Sequence, residues 1–199
     1  MKQTICLPAS AAILIGGRSS RFGTDKALLN FKGKSLALTI YEHIFEIFKE
    51  VYFVSNRPGK DDELNKRILL DVIPNKGALG GLYSALFHAT NEYCFITACD
   101  LPFIGTELIQ ILWDHTGSTD IIAPIWGENI EPLAAFYHRR CLSAIEKAIH
   151  KDKKMVKGFW DSVSVALIDM CRYYSQNQLK KLFFNINTRQ DFNRALKLS

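Results

Sequence analysis

Residues 14–29, LIGGRSSRFGTDKALL, place three glycines, two arginines and a lysine within thirteen positions. Gly16 and Gly17 let a backbone approach a ligand closely and present N–H groups to an anion. Arg18, Arg21 and Lys26 add full charges suited to a polyphosphate. The same residues are compatible with a tight turn carrying solvated cations. The spacing excludes a Walker A loop, because five residues separate Gly17 from Gly23 and no Gly-Lys-Ser/Thr follows. It also lacks Gly-x-Gly-x-x-Gly, the dinucleotide fingerprint.

A second cluster ends the apolar run of YCFITACDLPF. Asp100 directly after such a run is placed to hold Mg²⁺, a hard cation that takes carboxylate and phosphate oxygens; the alternative is an aspartate opening a turn before Pro102. In NKGALGGL, residues 75–82, Gly80 and Gly81 either line a flat ring or cap a helix. Asp71 either binds a base or ribose or closes a strand. In FFNINT, residues 183–188, Asn185 and Asn187 recur at period two, which puts both amides on one strand face, with Thr188 as a helix cap.

These groups need a scaffold that brings distant segments to one place. Short apolar runs at 11–15, 51–54, 68–73, 93–98, 120–125 and 163–168 read as strands, several apolar throughout and so buried on both faces. Leu36, Ile40, Ile44 and Phe48 recur every four residues with Tyr41 and Phe45 beside them, a helix that Ser35 is suited to cap. Further helices are expected over 81–88, 106–113, 141–149 and 189–198. Strands alternating with helices imply an α/β fold, three-layered, with a mostly parallel sheet and right-handed crossovers. Ligands of such sheets bind at the carboxyl ends of the strands. The Gly-rich loop, Ser55-Asn56-Arg57, Asp71 and Asp100 all follow or close strands, so they are expected to converge along one edge.

Length and composition fit this reading. The 199 residues, 48% hydrophobic and 23% charged, suffice for one domain spanning 1–199 with a sizeable core. The net charge of +5 is spread along the chain, and its densest run, His150-Lys-Asp-Lys-Lys154, is short and interrupted. With no aromatic-basic module, nucleic acid is not an expected partner. Five cysteines without a C-x-x-C pair argue against a disulfide framework and a structural zinc site. No apolar stretch reaches membrane-span length. The N-terminal Lys2, apolar stretch and Ala-Ser-Ala loosely resemble a signal peptide, but Pro8 interrupts them and cleavage would strip the strand feeding the Gly-rich loop, so a cytoplasmic location is expected.

Taken in order, LIGGRSSRFGTDKALL, GALGGLYSAL, ACDLPFI, EPLAAFY and FFNINTRQDF resemble the sequence blocks of MobA-type nucleotidyltransferases over nearly the whole chain. The first block is the most specific. The resemblance implies a Rossmann-like nucleotidyltransferase domain that transfers GMP from GTP to the terminal phosphate of molybdopterin, releasing pyrophosphate, with Mg²⁺ as cofactor. A cytidylyltransferase of the same fold, or a nucleotide-binding module without turnover, is the alternative; Gly16-Gly17, where cytosine-using relatives tend towards Ala-Gly, favours guanine. By resemblance, Leu14, Ile15, Gly16, Gly17, Lys26, Asp71, Gly80 and Asp100 would bind the nucleotide. Lys26, Arg21 and Asp100 would carry the catalysis, Asp100 as metal ligand, and Asn185 and Asn187 would meet the acceptor. Proteins that supply molybdopterin or mature molybdoenzymes are the implied docking partners. The chain departs from the family pattern at Ile15 (usually Ala), Phe22 (usually Met), Glu131-Pro132 (commonly His-Pro) and Arg189-Gln190 (commonly Pro-Glu). Val54 falls where some members have a nucleotide-contacting Asn, with Asn56 two positions later.

Overall fold

The computed structural model describes residues 6–16, 25–57 and 64–198. In chain order the elements are β1 (Leu7–Leu14), β2 (Asn30–Phe31), β3 (Lys34–Ser35), α1 (Leu36–Ile44), β4 (Phe48–Ser55) and β5 (Ile68–Leu70). They continue with α2 (Gly77–His88), β6 (Tyr93–Ala98), α3 (Thr106–Trp113), β7 (Ile121–Trp126), β8 (Asn129–Ile130) and β9 (Ala134–His138). The last are α4 (Leu142–His150), β10 (Val165–Asp169), α5 (Gln176–Leu182) and α6 (Arg189–Leu198).

The main sheet runs in the order β10-β7-β9-β6-β1-β4-β5, with β8 paired to β7 and a separate β2-β3 hairpin. Pairing is parallel across β6-β1-β4-β5 and between β7 and β10, whereas β9 lies antiparallel between β6 and β7. The carboxyl ends of β1, β4, β5 and β6 therefore share one edge. The central β1 is buried along almost its whole length. Pro8 lacks an amide donor, and the β1–β4 register shifts between Leu7 and Ser10.

Alternate residues of each strand feed different layers. Ala11, Ile13, Phe53, Phe95 and Phe136 pack with Ala37 and Ile40 of α1 and Leu108 and Leu112 of α3. Ala12, Leu14, Tyr52, Val54 and Ile96 face the opposite way, onto Leu79, Leu82 and Leu86 of α2 and Ile145 and Ile149 of α4. The Tyr52 hydroxyl donates to the Ala85 carbonyl at 2.6 Å, tying α2 to β4.

Several boundaries differ from the sequence reading. Ser35 caps α1, its hydroxyl accepting from the Leu38 N–H at 3.2 Å. The helix stops at Ile44, however, and a 3₁₀ turn over Phe45–Ile47 turns the chain into β4. Phe48, the last of the four-residue series, is thus a strand residue stacked on Phe95 at 5.8 Å between ring centres. Burial in the sheet meets the same apolar demand that a helix face would. Helix α2 starts at Gly77 rather than residue 81. Residues 183–188 form no strand: they are irregular chain, starting in a turn at Phe183 and tied to the end of β6 by the Ile186 N–H donating to the Asp100 carbonyl at 2.9 Å. The antiparallel β9 and the helix α5 are additions that the periodicity did not reveal.

Candidate functional site

The carboxyl ends of β1, β4, β5 and β6 and the start of α2 enclose a cavity of about 290 Å³. Its walls include Leu14, Ile15, Gly16, Lys26, Asn56, Asp71, Gly81 and Asp100. Backbone hydrogen bonds carry the strand ladders past the strand ends and fix these residues. Ile15 N–H donates to the Val54 carbonyl at 2.9 Å, Cys99 N–H to Leu14 at 3.1 Å, and Asp71 N–H to Ser55 at 2.9 Å. Convergence at one edge, expected from the strand order, is what the fold delivers.

Lys26 enters from the chain that follows the Gly-rich segment. Asp25 caps a 3₁₀ turn over Lys26–Leu28, its carboxylate accepting from the Ala27 N–H at 3.1 Å. The turn aims Lys26 across the cavity at Asp100, with Nζ 3.3 Å from Oδ2. The two side chains are 15% and 23% exposed, so the pair is partly screened from water and open to a ligand. Asp71 lies half-buried in the cavity wall, and burial raises its carboxyl above its ordinary value.

The small residues divide into different jobs. Gly77 opens α2 with φ +62°, a left-handed conformation that a side chain would strain. Gly81 faces the cavity, where an added Cβ would lie 3.4 Å from Leu14 Cδ1. Gly80 does not line the cavity: its Cβ would meet Lys76 Cβ at 2.9 Å and the Ile73 carbonyl oxygen at 3.0 Å. That residue permits close packing of α2 on the preceding turn. Gly16 allows Asn56 to approach, since a Cβ would lie 3.1 Å from the Asn56 amide.

Arg21 and Gly17, with Arg18 and Phe22, lie outside the described residues. Asn185 and Asn187 are not in the cavity wall. Asn185 is half-buried, and its Oδ1 is buried without a hydrogen-bond partner among the described residues. Asn187 is exposed, and its N–H donates to Asp191 at 3.2 Å. Thr188 is the helix cap anticipated for α6, its hydroxyl accepting from the Asp191 N–H at 3.1 Å. The two asparagines therefore do not share a strand face.

Sequence reasoning passed over other groups at this edge. Cys99, Gly77 and Ala78 line the cavity beside Asp100. Lys154 packs beside Gly77, its carbonyl oxygen 3.8 Å from a Gly77 Cβ position. Glu131 carries a carboxyl raised above its ordinary value, first by burial and then by the charge of Asp100, while the Leu133 N–H opposes the shift. The departure at Glu131-Pro132 was the signal for that last group.

The arrangement is suited to anionic ligands. Lys26, the three aspartates Asp25, Asp71 and Asp100, a glycine-lined approach and the first turn of α2 line a single space. Among the described residues no three His, Cys, Asp or Glu side chains gather closely enough to hold a metal unaided. A lone Asp100 nevertheless fits Mg²⁺, which is commonly bound by one or two carboxylates together with substrate phosphates.

Comparison with known proteins agrees with the geometry. Residues 11–164 match the model of the MobA-like NTP transferase domain. A probable molybdenum cofactor guanylyltransferase of Natranaerobius thermophilus is 37% identical over 196 residues, covering 94% of this chain and 95% of that protein. A protein of the same description from Clostridium perfringens is 32% identical over 192 residues, covering 94% of this chain and 96% of its own length. The crystal structure of molybdopterin-guanine dinucleotide biosynthesis protein A from Archaeoglobus fulgidus superposes with a TM-score of 0.81. It is 24% identical and covers 95% of this chain and 97% of its own, a likeness of fold. With the family model spanning most of its length and relatives above 30% identity end to end, the chain belongs to the MobA-like NTP transferase family.

Proposed function

We propose that this protein is a molybdenum cofactor guanylyltransferase, transferring GMP from GTP to the phosphate of molybdopterin with release of pyrophosphate. The observation that carries the reading is the Lys26–Asp100 pair, 3.3 Å apart across the mouth of the cavity formed by the parallel strand ends. The printed descriptions of the relatives supply the substrates.

An acceptor phosphate oxygen attacks the α-phosphorus of GTP, and the bond to the departing pyrophosphate breaks. No covalent enzyme intermediate is needed, so catalysis rests on positioning and charge. Leu14, Ile15, Gly16 and Asp71 hold the nucleoside end, with Gly81 leaving room for it. Lys26 neutralises charge developing on the α-phosphate and leaving group, and Arg21 and Gly17 of the same sequence block belong to the phosphate-binding set. Asp100 is the ligand for Mg²⁺, which supplies charge neutralisation on the phosphate oxygens when bound. Asn185 and Asn187 are assigned to the acceptor side. Among the described residues no helix is long and apolar enough to cross a membrane; a cytoplasmic site of action, without nucleic acid, and docking with molybdopterin-supplying or molybdoenzyme-maturation proteins, follow from the same reading.

Thermal unfolding with Mg²⁺ and each of GTP, CTP, UTP and ATP tests the nucleotide half. A ligand at 100 times its Kd adds about 2.7 kcal/mol. Each kcal/mol moves the midpoint by roughly 2–4 °C at this chain length. A shift with GTP that Lys26→Ala removes supports the reading; a shift with CTP alone replaces the substrate.

A further inference from the structure

Asp100 divides the carboxyl edge of the sheet into two halves. On one side of β6 lie β1, β4 and β5, whose ends wall the nucleotide cavity. On the other side lie β9 and β7. Because β9 runs antiparallel to β6, with Ala134 opposite Thr97, its first residue meets the end of β6. The segment entering β9 therefore carries Glu131 to the far side of Asp100, close enough for the Asp100 charge to act on it. Asn185 reaches the same neighbourhood, since the next residue, Ile186, donates its N–H to the Asp100 carbonyl.

Glu131 is held in place but not used up. Its Oε1 accepts the Leu133 N–H at 3.0 Å, and its own N–H donates to the Pro124 carbonyl at 3.2 Å. No hydrogen bond to Oε2 occurs among the described residues, and that oxygen is not sealed from solvent. No lysine or arginine among them acts on this carboxylate either. Asn185 Oδ1 is a second acceptor without a partner. A buried acceptor such as Asn185 Oδ1 is costly without a donor, whereas Glu131 Oε2 is open to solvent and so within reach of a donor-bearing ligand.

We propose that Glu131 is a specificity-determining residue for the acceptor, accepting hydrogen bonds from the ring N–H and the adjacent exocyclic amino group of a 2-amino-4-oxopyrimidine ring, the ring of a pterin. The inference rests on the acceptor reading given above. An ionised carboxylate is acceptor-only, with two oxygens in a plane, and it matches two parallel N–H donors as it matches the fork of an arginine. A glutamine of the same shape turns one of those positions into a donor and opposes the ligand. Glu131 itself does not line the nucleotide cavity; it adjoins it through Leu133, whose N–H it accepts.

The test compares pterin with lumazine, which carries an oxo group in place of the 2-amino group, as inhibitors of molybdopterin-dependent pyrophosphate release from Mg²⁺–GTP. Direct titration of both rings onto the Mg²⁺–GTP-loaded protein provides a second readout. The wild type is expected to bind pterin about 10-fold or more tightly than lumazine, the scale of a hydrogen bond to a charged group. Glu131→Gln should abolish that preference and raise the molybdopterin KM about 10-fold, with the GTP-induced thermal shift intact as proof of folding. Glu131→Asp should retain part of the preference. A wild type that uses molybdopterin but does not discriminate the rings, or a Glu131→Gln variant that still does, overturns the assignment alone. Loss of GTP binding in Glu131→Gln moves the residue to the nucleotide side and also overturns it. A wild type that binds GTP but never uses molybdopterin removes the acceptor reading, and this inference with it.

Discussion

The Lys26 ammonium lies 3.3 Å from the Asp100 carboxylate although the two are 74 positions apart in the chain. Two unrelated segments, a turn after the Gly-rich stretch and the end of β6, deliver opposite charges to one cavity mouth. The pair keeps both groups ordered before any phosphate arrives, so little reorganisation is needed on binding. Lys26→Ala and Asp100→Ala are each expected to lower turnover by about 10²-fold or more, the scale of removing a preorganised transition-state contact. Initial rates of pyrophosphate release from Mg²⁺–GTP with molybdopterin measure this. Near-normal rates in both variants would contradict the assignment.

Gly80 and Gly81 are adjacent, yet their alanine variants should fail differently. Gly80→Ala drives a methyl group against the Ile73 carbonyl at 3.0 Å and should destabilise the fold by about 1–3 kcal/mol. Gly81→Ala meets only Leu14 at 3.4 Å, inside the cavity. It should fold with near-native stability and weaken GTP binding. Urea unfolding and nucleotide-induced thermal shifts, measured on both variants, separate the two effects.

Asp71 carries a cost that depends on pH. Burial raises its carboxyl in the folded state, so folding favours the protonated form. The penalty is absent below the unfolded value of about 3.9. It grows as pH rises through that value and is complete once pH passes the folded one. Asp71→Asn should therefore be more stable than the wild type at pH 7, with the difference shrinking towards pH 4, while its GTP affinity falls. Chemical denaturation across pH 4–8 checks the sign.

The cysteines make a test of packing. Cys6 and Cys171 are exposed, whereas Cys94, Cys99 and Cys141 are buried. Burial pushes the Cys141 thiol up to about 12 and raises Cys94 further. A maleimide at pH 7.5 should label Cys6 and Cys171 rapidly in the native protein, and all five cysteines in denaturant. Rapid native labelling of Cys94 or Cys141 would contradict the layer packing described here.

The parts legible in the sequence were those set by local rules. Buried parallel strands are continuous apolar runs, and YCFITA announced β6 and the position of Asp100 at its end. Ser35 and Thr188 announced helix starts because capping involves only the next few residues. Phe48 misled because spacing by four residues cannot distinguish a helix face from a strand that begins just after the helix. The FFNINT segment alternates like a strand, but no strand among the described residues pairs with it, and only tertiary contact decides that. Ser175 and Gln178 form a capping box for α5, a signal present in the sequence and overlooked. Glu131 was visible only as a departure from a family block; that it stands beside Asp100 follows from the antiparallel insertion of β9, which no local pattern encodes.

The most direct measurement incubates the protein with Mg²⁺, molybdopterin and each of the four ribonucleoside triphosphates, and quantifies pyrophosphate together with the dinucleotide product. The account predicts equimolar pyrophosphate and molybdopterin guanine dinucleotide with GTP, and both formed about 10²-fold or more slowly by the Lys26→Ala and Asp100→Ala variants at the same protein concentration. Product from CTP in preference to GTP, or no product from any nucleotide with the wild type, would contradict it.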